Sequence, residues 1–96
     1  NDFLAHGLLA GLADLGVAVP RDFSVIGCDD VLGAATHPAL TSVSTRCVEA
    51  GRMAGDLLMS TLRTGKRSDI RCLLDTNLVI RATTAPRRSK GKTSRS

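Results

Sequence analysis

The stretch Phe23-Ser24-Val25-Ile26-Gly27-Cys28-Asp29-Asp30 decides the fold. A short apolar, partly β-branched run bounded by Pro20 and Gly27 reads as a strand buried on both faces. Strands of that kind belong to parallel sheets covered by helices, where ligands sit beyond the carboxyl ends of the strands. Asp29 and Asp30 fall at that end. Two adjacent carboxylates there require solvent, a ligand or a cation, because an unpaired charge is costly to bury.

Upstream of this strand, residues 2–16 carry Leu4, Leu8, Leu12 and Leu15 at helical spacing, with Leu9 widening the stripe. Asp2 is placed to cap the first turn, and Gly16 suits a left-handed stop before Val17 and Pro20. Helix, brief turn and buried strand form half of a βαβ unit whose first strand would precede Asn1. Downstream, residues 31–35 are expected to form one helical turn ended by His37-Pro38, and residues 41–44 are β-prone. Residues 48–62 form a second helix, with Ala50, Met53, Ala54, Leu57, Leu58 and Leu62 on one face and Gly65 ending it. Two further strands are expected at 70–74 and 77–81. The class is α/β.

The chain has 96 residues, enough for one small domain, yet its only aromatic side chains are Phe3 and Phe23. So short a chain with so few large anchors has a thin margin for a self-sufficient core. The start at Asn1, with neither Met nor signal peptide, reads as an internal cut. Alone, such a chain is expected to associate or stay partly unfolded.

The net charge of +4 is unevenly placed. Arg87, Arg88, Lys90, Lys92 and Arg95 sit in the tail, so residues 1–85 hold 8 basic and 9 acidic groups. A nearly neutral body is no basic nucleic-acid surface. The tail, 86–96, reads as a solvated disordered end, though it can also touch a polyanion without sequence preference. Cys28, Cys47 and Cys72 form no Cys-x-x-Cys pair, so free buried thiols in a reducing cytoplasm are expected. No apolar run approaches the roughly 18 residues of a membrane span.

Taken in order, these landmarks resemble the carboxyl-terminal third of the effector-binding domain of LacI/GalR-family transcriptional regulators. Asn1-Asp2 followed by Ala5 and Gly7 resembles that family's Asn-Asp-x-x-Ala-x-Gly helix start. Gly16 with Val19-Pro20 resembles its helix-ending Gly and following Val-Pro. Ser24 to Asp30 resembles its strand ending in Gly, an aromatic, Asp and Asp. Pro38-Ala39-Leu40-Thr41-Ser42-Val43 resembles its Pro-x-Leu-Thr-Thr-Val, and Gly51 with Ala54 fits the helix that follows. Leu78-Val79-Ile80-Arg81-Ala82-Thr83 fits its closing Leu-Val-x-Arg-x-Ser/Thr. The match spans about residues 1–84.

The resemblance implies a two-lobed periplasmic-binding-protein-like fold of class I, with a doubly wound parallel sheet, here an incomplete carboxyl-terminal portion over 1–85. The chain would cross between lobes near 45–46 and again near 73–75. A small effector, a sugar by the family's habit, would lie in the interlobe cleft of a cytoplasmic homodimer. Operator DNA would be read by an amino-terminal helix-turn-helix absent from these residues.

Asp29 matches the family's cleft aspartate, whose two acceptor oxygens suit a vicinal diol, against a plain loop-capping role. Asn1 matches the family asparagine that faces the effector, against a plain helix-entry role. Asp30 is expected to cap the turn 31–35. Cys28 stands where the family usually has Phe or Tyr, which removes a stacking face near the cleft. His6 and His37 lie on elements the family uses for subunit contacts. They would make an interface pH-sensitive, or they are ordinary surface and capping residues.

No metal site, cofactor site or catalytic group emerges: no nucleophile has an adjacent base, and no glycine-rich phosphate loop is present. Two other readings remain open at this stage. One is a fragment of a periplasmic sugar-binding receptor. The other is a phosphorelay-receiver-like domain using Asp29 and Asp30 for Mg²⁺, although no suitable Lys or phosphorylatable Asp ends a further strand.

Overall fold

The computed structural model describes residues 1–67 and 69–89. Five elements follow in order: α1 (Asp2–Asp14), β1 (Ile26–Cys28), β2 (Thr41–Ser44), α2 (Cys47–Thr64) and β3 (Asn77–Val79). The basic tail beyond Ser89 lies outside the described residues.

The ends of α1 follow from local chemistry. The Asn1 side chain accepts from the Leu4 N–H at 3.0 Å, so Asn1 rather than Asp2 is the cap. At the other end Gly16 has φ +73°. The N–H groups of Gly16 and Val17 donate to the carbonyls of Ala13 and Leu12, which gives a Schellman termination. Gly65, φ +69°, ends α2 as its position after the apolar stripe predicts.

The sheet order is β1-β2-β3. β1 and β2 run parallel, pairing Ile26 with Thr41 and Cys28 with Val43. β3 returns antiparallel to β2, pairing Ser42 with Val79 and Ser44 with Asn77. The sheet is therefore mixed within this chain, with the parallel pair at β1 and β2. Where β1 is too short to carry the pairing, the closing segment takes over. Val25 donates its N–H to the Thr83 carbonyl, and the Thr83 hydroxyl donates to the Val25 carbonyl. The same Thr83 Oγ1 accepts from the Thr41 N–H at 2.9 Å. A buried side chain thus stands in for a missing ladder partner.

The core is small: Ala5, Leu9, Val25 and Leu40, with Leu12 and Val19 packed against it. α1 lays Asp2, Ala5 and Leu9 on the sheet and leaves Leu4, Leu8 and Leu15 exposed. The buried stripe is thus rotated from the Leu4–Leu8–Leu12–Leu15 line, because small Ala5 and the polar anchor Asp2 permit close approach to Gly27. A Cβ at Gly27 would fall onto the Asp2 carboxylate and the Leu40 side chain. β1 is not buried on both faces either: Gly27 is buried while Ile26 and Cys28 are exposed. Among the described residues nothing covers that second face.

Residues 70–74, expected as a strand, join no ladder among the described residues. All three cysteines are free, as expected, but exposed rather than buried.

Candidate functional site in the cleft at the end of β1

β1 ends in two consecutive residues with positive φ, Asp29 at +89° and Asp30 at +55°. Non-glycine residues in this region are uncommon, and their short polar side chains are among the few that tolerate it. The turn holds because its backbone is fixed on both sides. The Asp29 N–H donates to the Val43 carbonyl at 2.8 Å. The Asp30 N–H donates to the Ser42 hydroxyl at 3.1 Å.

That hydroxyl is part of a continuous polar chain. Ser42 Oγ donates to Asp2 Oδ1 at 2.6 Å, and Leu32 N–H donates to Asp2 Oδ2 at 2.9 Å. Asp2 is fully buried. Burial alone would raise its pKa, but the Ser42 hydroxyl and the Leu32 and Val31 backbone N–H groups outweigh that and hold it below the ordinary carboxylate value. Asp2 is thus a buried anchor joining α1, β2 and the 31–35 turn, not the helix cap that its position predicts.

Asp30 also departs from expectation. Its carboxylate does not cap the turn 31–35 but receives both Arg81 amino groups, at 2.7 and 3.2 Å. Arg81 Nη1 reaches the Leu40 carbonyl as well, at 2.7 Å. Pairing with Asp30 raises the guanidinium pKa further above its already high value. Gly33 lies beneath this pair, and a Cβ there would collide with the Arg81 guanidinium and the Asp30 carboxylate. The sequence gives Arg81 as part of a closing motif. Its pairing with Asp30, 51 positions away, carries no local signal.

A cavity of about 410 Å³ opens beside the turn, lined by Asp29, Asp30, Ser44, Arg46, Cys47, Val48, Glu49 and Arg52. Arg46 has a left-handed backbone, φ +54°, at the junction of β2 and α2. Its guanidinium pairs with Glu49 Oε2 through Nη2 at 2.6 Å and Nε at 2.7 Å. Asp29 accepts only a long contact from the Cys28 thiol, 3.8 Å, and keeps its carboxylate available to the cavity. The sequence singles out Asp29 among the residues lining this cavity but not Arg46, Glu49 or Arg52. The signal available was a run of charges placed directly after a strand.

Asn1 is exposed at the start of α1 and is not among the residues lining this cavity. His6 and His37 are both exposed, one on α1 and one after the 31–35 turn. Among the described residues no group of three His, Cys, Asp or Glu stands close enough to hold a metal ion. The magnesium reading also loses its second carboxylate, since Arg81 occupies both Asp30 oxygens.

A parallel strand pair backed by a helix, with an acidic positive-φ turn beside an open cavity, has the architecture of part of a periplasmic-binding-protein-like domain. A family profile described as the periplasmic binding protein-like domain matches residues 1–84, and the chain belongs to that family. Within it, the chain is of the LacI/GalR type and corresponds to part of the effector-binding domain. It is similar to the HTH-type transcriptional repressor PurR of Edwardsiella ictaluri (strain 93-146), 39% identical over 70 residues, covering 72% of this chain and 20% of that protein. Among solved structures it resembles a LacI family transcriptional regulator from Enterococcus faecium with bound ribose. That match has TM-score 0.85 and 30% identity, over 92% of this chain and 33% of the other. The transcriptional regulator CelR in its cellobiose complex matches with TM-score 0.75 and 28% identity, over 86% of this chain and 26% of the other. The chain spans 20% of that PurR and 33% of the ribose-bound regulator.

Proposed function

We propose that this chain is the effector-sensing part of a cytoplasmic DNA-binding transcriptional regulator whose effector is a carbohydrate-like small molecule. The observation that carries the reading is the Asp29 carboxylate, held by a positive-φ turn at the end of β1 and lining the cavity at the α2 amino end. A carboxylate fixed in that way offers two acceptor oxygens to neighbouring hydroxyls without reorganising on binding. The solved relatives with bound ribose and in complex with cellobiose support a sugar-like ligand.

In this reading Asn1 contributes from the α1 start, and the chain crosses between lobes near 45–46 and 73–75. The left-handed Arg46, between β2 and α2, supports the first crossing. Effector binding stabilises one lobe arrangement over another, and the regulator transmits that difference to DNA-reading segments outside these residues. The regulator acts as a homodimer, with His6 and His37 near the contact; the exposed Leu4, Leu8 and Leu15 of α1 support an interface there. It binds and signals and carries out no catalysis.

The test is isothermal titration of the intact regulator with pentoses, hexoses, disaccharides and nucleosides, repeated on Asp29→Ala. Saturable heat from one class, lost in the variant, supports the reading. Unaltered binding in Asp29→Ala removes Asp29 from the site.

A further inference from the structure

The cavity beside β1 contains five charged side chains, and their pairing decides which charges face a ligand. Asp30 is neutralised by Arg81 through two hydrogen bonds. Arg46 is neutralised by Glu49. Asp29 and Arg52 remain, and neither takes part in an ion pair among the described residues. Both line the same cavity, Asp29 from the β1 turn and Arg52 from the second turn of α2. The site therefore presents one open carboxylate and one open guanidinium.

No aromatic ring lines it. The only aromatics of the chain, Phe3 and Phe23, lie elsewhere, and the position before Asp29 is Cys28. Recognition from this side of the cleft thus rests on hydrogen bonds and charge, not on stacking against a sugar ring. Asp29 suits hydroxyl donors. The planar guanidinium of Arg52 suits a carboxylate or phosphate, which it can hold through two parallel bonds. A neutral sugar would leave Arg52 without an anion to hold.

We propose that the effector is a hydroxylated organic anion, a sugar phosphate or sugar acid, with hydroxyls on Asp29 and its anionic group on Arg52. The proposal rests on the cavity being the effector site. It assigns Arg52 as a specificity-determining residue for that site.

The experiment is calorimetric titration of the intact regulator with three matched sets: ribose, ribose 5-phosphate and ribonate; glucose, glucose 6-phosphate and gluconate; and inorganic phosphate alone. One anionic member is expected to bind at least about tenfold tighter than its neutral parent, the scale of a charge-assisted bidentate contact. The phosphate and acid arms tell which anion it is. In Arg52→Gln that preference collapses to the neutral parent's affinity, and Arg52→Lys retains part of it. Equal or tighter binding of the neutral sugar overturns the proposal, as does a preference that survives Arg52→Gln. If neutral sugar binding is nonetheless lost in Asp29→Ala, the effector-site reading stands without the anionic one. Binding of inorganic phosphate as tight as that of the sugar phosphate would also overturn it, since the hydroxyls would then contribute nothing. If no compound binds, both readings fall.

Discussion

Asp30 and Arg81 lie 51 positions apart and meet through two hydrogen bonds of 2.7 and 3.2 Å, directly beside the residue assigned to the effector. Each side chain is less than one-fifth exposed. The pair ties the closing segment of the chain to the strained turn that orients Asp29. Removing Arg81 leaves a partly buried carboxylate without its cation and frees the Leu40 carbonyl. Arg81→Ala is expected to destabilise the intact protein by about 2 kcal/mol, with Arg81→Lys losing less. Urea unfolding followed by circular dichroism measures it; a midpoint unmoved by Arg81→Ala would show that the pair contributes nothing.

Gly33 is needed for this pair rather than for its own backbone, since a Cβ there would strike the Arg81 guanidinium. Gly33→Ala should therefore destabilise the wild-type background and cost much less in Arg81→Ala. A double-mutant cycle reads the coupling directly. Additive effects would mean that Gly33 and Arg81 act independently.

Thr83 is fully buried and bonds both the Thr41 N–H and the Val25 carbonyl. Thr83→Val keeps the shape and orphans both backbone groups, at about 1–3 kcal/mol for each unsatisfied group. Thr83→Ser should retain most of the stability. A Thr83→Val protein as stable as wild type would show that water replaces the hydroxyl.

Acid stability should report on Asp2. Its folded pKa lies below the ordinary value of 3.8, so the unfolded chain binds that proton more readily. The stabilisation is present above the unfolded value and is lost as pH falls through the lower folded one. Urea midpoints should drop between about pH 5 and about pH 3, and Asp2→Asn should flatten that slope while lowering stability at neutral pH. An identical slope in both proteins would place the acid sensitivity elsewhere.

The 96-residue chain taken alone leaves Phe3, Leu4, Leu15 and Leu73 largely exposed, and α2 has no buried residue. In isolation it should associate or melt without cooperativity. Size-exclusion chromatography with light scattering checks this; a monomer with a sharp thermal transition would contradict it.

What the sequence shows and what it hides separate along a physical line. The stops at Gly16 and Gly65 are legible because a left-handed terminator has a residue-level cause. Strand β1 and its terminal carboxylates are legible because apolar run and charge are adjacent. The buried face of α1 was not, because packing chose Asp2, Ala5 and Leu9, whose closeness to Gly27 depends on tertiary contact. The expected strand at 70–74 does not form among the described residues, because strand propensity is decided by tertiary neighbours that a local run cannot specify. Asn1 takes the cap that the position of Asp2 suggests, since both are good caps, and only the Ser42 and Leu32 donors draw Asp2 into the interior instead. Arg81 and Arg52 were hidden for the same reason: an ion pair, or the lack of one, is a property of three-dimensional neighbours.

The central claim, that Asp29 receives the effector, is tested most directly by measuring operator release from the intact regulator by fluorescence anisotropy, with and without its effector, in wild type and Asp29→Ala. The variant is expected to bind operator as wild type does and to ignore the effector. Loss of operator binding would show that Asp29 holds the fold, and an undiminished effector response would show that the ligand does not use it.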